Sequence, residues 1–380
     1  MVSNMKLSCQ KSQLAEMINT VQKAVAAKTV MPILECIKLD ATPGKDLIVT
    51  GNNLEISIEY RKQFDIEEGG SIALSSRMFG EIIRKLPDDT VSIYINEENN
   101  IATIKCQKSE FNIQGLSAEE YPAVPEVEEA YRFSIPQSKL KKMIRQSVFA
   151  SAVSDTRRPI LTGVLMEIDT GVLSMVATDG HRLALVKEIV DASLKNNKFV
   201  IPGQTLREIS KVLKDDDEKI DVIFSDRYVK FDFGDYKVTA RLLEGEFINY
   251  RPILNTPNSI FVTADTKLLS DSLERASLMI NDDISTKVEK IPVRLNIAYD
   301  KIEITCITGK GKVHDIVDVD LKGDNIEIGF NHKYLLEALR ACEEERVDME
   351  FSHPRSSCFI RSLENPDSYT FMISPIRLYN

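Results

Sequence analysis

Apolar positions along the chain change their period in a fixed order. In QLAEMINTVQKAV, Leu14, Met17, Ile18, Val21 and Val25 fall on one side of a helix, at the spacing of an amphipathic segment. MPILECIKLDA and DLIVTGNNLEISIEY follow, and there apolar and polar residues alternate as in half-buried strands. The succession begins again at SKLKKMIRQSVFA, RPILTGVLMEID and VLSMVATDGHRLALVKEI, and a third time at TKLLSDSLERASLMI, KIPVRLNIAYD and KIEITCITGKGKVHDIVDV. Each copy closes with a short strand, a second helix and more strands. In those second helices Phe79, Ile82 and Leu86 are answered by Leu206, Ile209 and Leu213, then by Leu335, Ala338 and Cys342. Pro32 and Pro159 are 127 residues apart, and Pro159 and Pro292 are 133 apart.

A unit of about 125 residues is too long for a solenoid repeat and long enough to bury its own core. The pattern predicts an α+β fold of three repeated domains, 1–130, 131–257 and 258–380. Each holds two helices and a mostly antiparallel sheet. SAEEYPAVPEVEEAYR and NYRPILNTPN, both proline-bearing, read as connectors. The turns between paired strands are expected at Gly51-Asn52, Asp179-Gly180 and Gly309-Lys310.

Composition narrows the function. No apolar run approaches the roughly 20 residues of a membrane span, and MVSNMKLSCQ has no apolar signal core. A cytoplasmic protein without membrane contact is expected. The six cysteines form no CxxC pair, and the four histidines have no ligand spacing. Free thiols, no metal and no cofactor are therefore expected. A net charge of −10 argues against coating nucleic acid through global charge, but leaves room for a local basic surface.

VATDGHRLAL is the candidate chemistry. Asp-Gly favours a tight turn, which accounts for Asp179 and Gly180. His181-Arg182-Leu183 occurs in the second copy alone. Two readings stand: a hydrolase or transferase using Asp179 and His181, or a binding site on one copy of a repeated scaffold. The chain has no GxSxG, P-loop or GxGxxG, which favours binding over catalysis.

The threefold repeat, PILTG, ATDGHRLA and the terminal SPIRL together resemble the bacterial sliding clamps, the β subunits of DNA polymerase III. The resemblance covers Met5 to Leu378; Met1–Asn4 precede the family's usual start. It implies a non-catalytic processivity factor for DNA replication. Two chains would form a head-to-tail homodimer, a six-domain ring around duplex DNA with helices lining the hole. Implied partners are the DNA polymerase III α-type subunit, the clamp loader and other proteins with clamp-binding motifs.

The resemblance also implies a partner-peptide groove of Leu161, Thr178, Gly180, His181, Arg182, Leu183, Ile248, Ile253, Asn331, Tyr334, Met372, Pro375, Ile376 and Arg377. His181 and Arg182 are expected at its rim. Leu183 is expected as an anchor whose change to Asp ends binding and leaves the ring intact. Ser374 stands where the family has a larger apolar residue, and Tyr379-Asn380 run past the usual end.

Basic residues recur on helix faces opposite the apolar ones. They are Arg77 and Arg84; Lys141, Lys142 and Arg145; and Arg207, Lys211 and Lys214. With Lys28, Arg157 and Arg158 in the loops before the PIL strands, they are expected to face DNA phosphates without sequence preference. For the dimer interface, Lys108, Glu110 and Phe111 are expected against Leu278 and Met279, with Glu110 facing Lys310 or Lys312.

Overall fold

The computed structural model describes residues 4–26, 28–96, 98–190, 197–281 and 291–378. The chain divides into two compact units: Met1–Ser138 with Arg207–Leu242, and Lys139–Leu206 with Leu243–Asn380. Among the described residues, no helix is long and apolar enough to cross a membrane.

In the first unit the helix Lys11–Val21 buries Leu14, Met17, Ile18 and Val21. Val25 lies beyond it in extended backbone, past a 3-10 turn at Gln22–Ala24. The helix Ser76–Lys85 starts at Ser75, whose Oγ accepts from Met78 N. Its buried face is Phe79, Gly80 and Ile83, and Ile82 is only half-buried. Phe79 and Leu86 are thus buried as the sequence repeat suggests, and between them Ile83 takes the inward place expected of Ile82. Gly80 leaves room for Gln22, whose amide donates to Ser76 O at 2.6 Å; a Cβ at Gly80 would lie 2.2 Å from Gln22 Nε2 and displace that side chain.

Two sheets complete this unit. The five-stranded one runs Asp65–Glu68, Asn4–Gln10, Thr90–Asn96, Ile101–Cys106, Ser109–Gln114. The eight-stranded one joins strands of the first and second repeats where Ile56–Gln63 pairs antiparallel with Tyr236–Arg241. Tyr60 and Tyr236 stack at that seam, ring centroids 5.4 Å apart.

In the second unit a twelve-stranded sheet joins the second repeat to the third. The seam is the antiparallel pairing of Arg182–Ile189 with Tyr369–Ile373, in the register Leu183 to Met372 and Leu185 to Thr370. Three α+β repeats are therefore present, and their sheets run on across repeat boundaries. All six cysteines are free thiols, and all but Cys342 are buried.

One expected turn moves. Gly51 and Asn52 are strand residues, and the chain reverses after them, with Leu54 at φ +74. Gly51 serves packing instead, since a Cβ there would sit 2.2 Å from Val21 O.

Candidate functional site

The strand Val172–Thr178 returns as Arg182–Ile189 through Asp179-Gly180-His181. Gly180 has φ +91, the left-handed region that suits glycine. Asp179 Oδ1 accepts from the backbone N–H of His181 at 2.8 Å and of Arg182 at 3.0 Å. The Thr178 hydroxyl donates to Arg182 O at 2.6 Å. The first repeat closes its turn alike: Asn53 Oδ1 accepts from Glu55 N at 3.0 Å and Ile56 N at 2.9 Å. Asp179 is thus a turn-closing residue. Its other oxygen takes Arg182 Nε at 3.1 Å. Both oxygens are engaged with the turn and Arg182 rather than with the imidazole of exposed His181. The hydrolase or transferase reading has no support in this geometry.

Arg182 is not a rim residue. It is 8% exposed, its guanidinium lies 4.4 Å from the Tyr334 ring centroid and 5.5 Å from that of Phe149, and it pairs with Asp179 and Glu337. Two carboxylates and two aromatic faces satisfy a planar cation well enough to bury it. It ties the hairpin to the helix His332–Ala341.

All the groove residues named from the sequence belong to the second unit. One face of its sheet carries an apolar cluster of Leu165, Val176, Leu183, Leu185, Val200, Phe359 and Met372, on which Leu243, Phe247, Tyr250 and Leu254 pack. Leu161, Thr178, Leu183 and Met372 are buried. Residues 243–258 therefore form a strap over this face, with Ile248 half-buried and Ile253 exposed. Beside the hairpin, Asn331 caps its helix by accepting from Lys333 N at 3.0 Å. The C-terminal segment is held where Ser374 N donates to His181 O and Ile376 N to Gly329 O, both at 2.8 Å. Pro375 and Ile376 are half-buried and Arg377 is exposed. Tyr379-Asn380 and Met1–Ser3 lie outside the described residues.

Two features escaped the sequence reading. A Cβ at Gly329 would come within 2.6 Å of the Leu378 side chain and 3.0 Å of Ile376 O, so that glycine lets the C-terminal segment pack closely. A glycine inside the strand-like NIEIGF was the available signal. The second feature is Glu167, a carboxylate in phase with Leu165 and exposed Asp169 along VLMEID and nevertheless buried. It helps line a cavity of about 1010 Å³ that borders the strap at Tyr250, Arg251, Leu254 and Asn255 and shares no residue with the groove set.

The basic residues lie at the surface, many of them beside carboxylates. Lys142 and Arg145 both pair with Glu343, the former at 2.7 Å. Arg84 meets Glu81 at 2.7 Å, Lys211 meets Glu208 at 2.8 Å, Lys214 meets Glu218 at 3.9 Å and Arg158 meets Asp155 at 3.5 Å. Lys28, Arg77 and Arg157 are exposed; Lys141 and Arg207 are half-buried. Such surface pairs contribute about 0–1 kcal/mol each, so a phosphate can displace the carboxylate at little cost.

Each unit also has an open strand edge. Ser109–Gln114 ends the five-stranded sheet and pairs with Ile101–Cys106 alone along its length. Phe111 lies opposite buried Ile104 yet is 40% exposed. Glu110 pairs across the strands with Lys105 at 3.1 Å, within its own sheet, and Lys108 is exposed. In the second unit, Gly311–Asp318 pairs with Lys301–Thr308 on one side, while Ile260–Asp265 reaches only Val319–Lys322 on the other. Leu278 beside it is 63% exposed. Met279 is half-buried, its sulfur 3.3 Å from where a Cβ on Gly311 would stand.

Comparison with known proteins gives matches along the whole chain. Family models described as the N-terminal, central and C-terminal domains of the DNA polymerase III beta subunit match residues 5–125, 134–249 and 251–377. The beta sliding clamp of Bacillus subtilis is 34% identical, covering 99% of this chain and 100% of that protein. A crystal structure of the DNA polymerase sliding clamp from Bacillus subtilis superposes with a TM-score of 0.92 over 99% of this chain and 100% of that one, at 34% identity. The beta subunit of DNA polymerase from Streptococcus pyogenes gives 0.91 at 29% identity, over 98% of this chain and 100% of that one.

Proposed function

The chain belongs to the DNA polymerase III β subunit family, the β sliding clamps, and from that membership we propose how its own residues hold a polymerase on DNA. It is a non-catalytic processivity factor of DNA replication. In our reading, two copies close head to tail into a ring around duplex DNA. In the same reading its domains divide after residues 130 and 257; the first boundary lies between matched segments and the second just inside the third, which begins at residue 251. The groove set, from Leu161 and the His181 hairpin to Ile376, takes short apolar peptides from the polymerase α-type subunit, the clamp loader and other partners. The protein works in the cytoplasm with the replication machinery.

The observation that carries the groove reading is the seam at Arg182–Ile189 and Tyr369–Ile373. There Leu183 of the hairpin and Met372 of the last strand share one apolar cluster with Tyr250 and Leu254 of the strap, and the C-terminal segment is bonded to the hairpin through Ser374 N and His181 O. A peptide site needs such an apolar floor with a few polar groups around it.

DNA is held by enclosure in this reading. Exposed cations such as Lys28, Arg77 and Arg157 touch phosphates, while the net charge of −10 opposes tight ionic binding. Clamp loaded on nicked circular DNA should remain bound in high salt and leave when the circle is cut. Phosphate-driven affinity would instead fall steeply with salt on circular and linear DNA alike. Equal, salt-sensitive loss from both forms would overturn the proposal.

A further inference from the structure

Glu167 stands out on the apolar face of the second unit's sheet. It follows Leu165 in the same strand phase, opposite Ser174 and Lys198, and is 4% exposed. A carboxylate there is costly unless paired and hydrogen-bonded. Three donors meet it: Tyr250 Oη at 2.7 Å, Arg251 Nη2 at 2.9 Å and Lys198 Nζ at 3.4 Å. Burial pushes its pKa up, but hydrogen bonds from Tyr250 and Arg251 and the nearby cations outweigh burial and hold it below the usual range.

Two of these donors belong to the strap, and they lead to its exposed apolar residue. Ile253 N donates to Tyr250 O at 3.1 Å, within the short helix Arg251–Leu254 and its N-cap. Toward its ends the strap is held by Leu243 N on Val200 O and by Asn258 Nδ2 on Glu350, each at 2.8 Å. Glu167 engages it between those points, where Ile248 and Ile253 lie.

We propose that Glu167 is a positioning residue for partner binding: through Tyr250 and Arg251 it clamps the strap so that Ile248 and Ile253 present a fixed wall to the incoming peptide. The proposal rests on the groove reading above. A wall already ordered spares the peptide the cost of ordering it.

The test measures fluorescence anisotropy of a labelled clamp-binding-motif peptide from the cognate polymerase subunit, on the full-length dimer. Glu167→Ala and Tyr250→Phe should each weaken binding about tenfold, the scale of one hydrogen bond to a charged group. Glu167→Gln still accepts from both donors and should recover most of that loss. Amide exchange should accelerate over 246–255 in Glu167→Ala and stay unchanged in Val172–Thr178.

Wild-type affinity in both Tyr250→Phe and Glu167→Ala would overturn the proposal. So would equal weakening in Glu167→Ala and Glu167→Gln with faster exchange throughout the sheet, the mark of a merely structural role. If Glu167→Ala does not fold, Tyr250→Phe decides, because it keeps the ring and removes only the hydroxyl. A wild-type protein that does not bind the peptide would overturn the groove reading itself.

Discussion

His332 opens the helix that carries Tyr334, and it is almost completely buried. Its Nδ1 has no hydrogen-bond partner among the described residues. Burial, reinforced by the charge of Lys333, lowers its pKa to about 4. The folded protein therefore keeps it neutral, while the unfolded chain takes up a proton near pH 6.5. Above 6.5 both states are neutral and the residue adds no pH dependence. Between 6.5 and about 4 the unfolded state binds more protons, so stability falls as acidity rises, by at most about 1.4 kcal/mol per pH unit. Urea midpoints should drop from pH 7 to pH 5 in the wild type, and less steeply in His332→Leu. Equal slopes in the two proteins would refute the assignment. Arg182 offers a second test at this scale. Removing the buried guanidinium and its bond to Asp179 should cost about 1.5–3 kcal/mol in Arg182→Ala, read from the denaturation midpoint. The resemblance pointed to a rim, with His181 and Arg182 as polar groups around an apolar cleft. What buries Arg182 is Glu337 and Tyr334, more than a hundred residues away in the chain, and no local pattern reports them.

The strap and the strand beneath it decide how the proposed groove can be probed. Leu183 is 1% exposed and lies between paired strands, so Leu183→Asp would place a charge in the core and unfold the second unit. Ile253 is exposed, and a change there leaves the core intact. Ile253→Asp should weaken partner-peptide binding by more than about tenfold, the loss of one apolar anchor, with an unchanged melting temperature. A melting temperature that falls together with affinity would assign Ile253 to the fold instead. Elements of this kind were unevenly legible. The helix Lys11–Val21 follows from apolar spacing alone, as do the buried Leu206, Ile209 and Leu213. In the helix Ser76–Lys85 two adjacent isoleucines fit the spacing, and packing selects Ile83. That Ile56–Gln63 pairs with Tyr236–Arg241 was not legible, because alternation states which face a strand buries and not which distant strand it joins. The strap has no period at all, and its place is set by apolar contacts with the sheet and by bonds at Leu243, Tyr250, Arg251 and Asn258.

For the whole molecule, the two open edges set the terms of ring closure. A last strand with free backbone groups invites pairing, and Phe111 faces the core side of its sheet with no further strand to cover it. Opposite it in the proposed ring stand Leu278, Met279 and the side of Gly311–Asp318 that faces away from Lys301–Thr308. Joining them would cover an apolar centre and continue one sheet into the next. Charge contributes less. Glu110 is already matched by Lys105 at 3.1 Å, so facing Lys310 or Lys312 would exchange one exposed pair for another, worth about 0–1 kcal/mol. Removing a ring that fills the centre of an interface costs about 2 kcal/mol or more. Phe111→Ala should therefore shift the protein toward monomer in analytical ultracentrifugation at micromolar dilution, whereas Glu110→Ala should sediment nearly as the wild type. Since enclosure rather than charge holds DNA in this reading, Phe111→Ala should also shorten retention on nicked circles in high salt, in step with the loss of dimer. A Phe111→Ala protein that stays dimeric at high dilution would move the interface elsewhere. One that falls to monomer yet remains on circular DNA would disconnect retention from the ring.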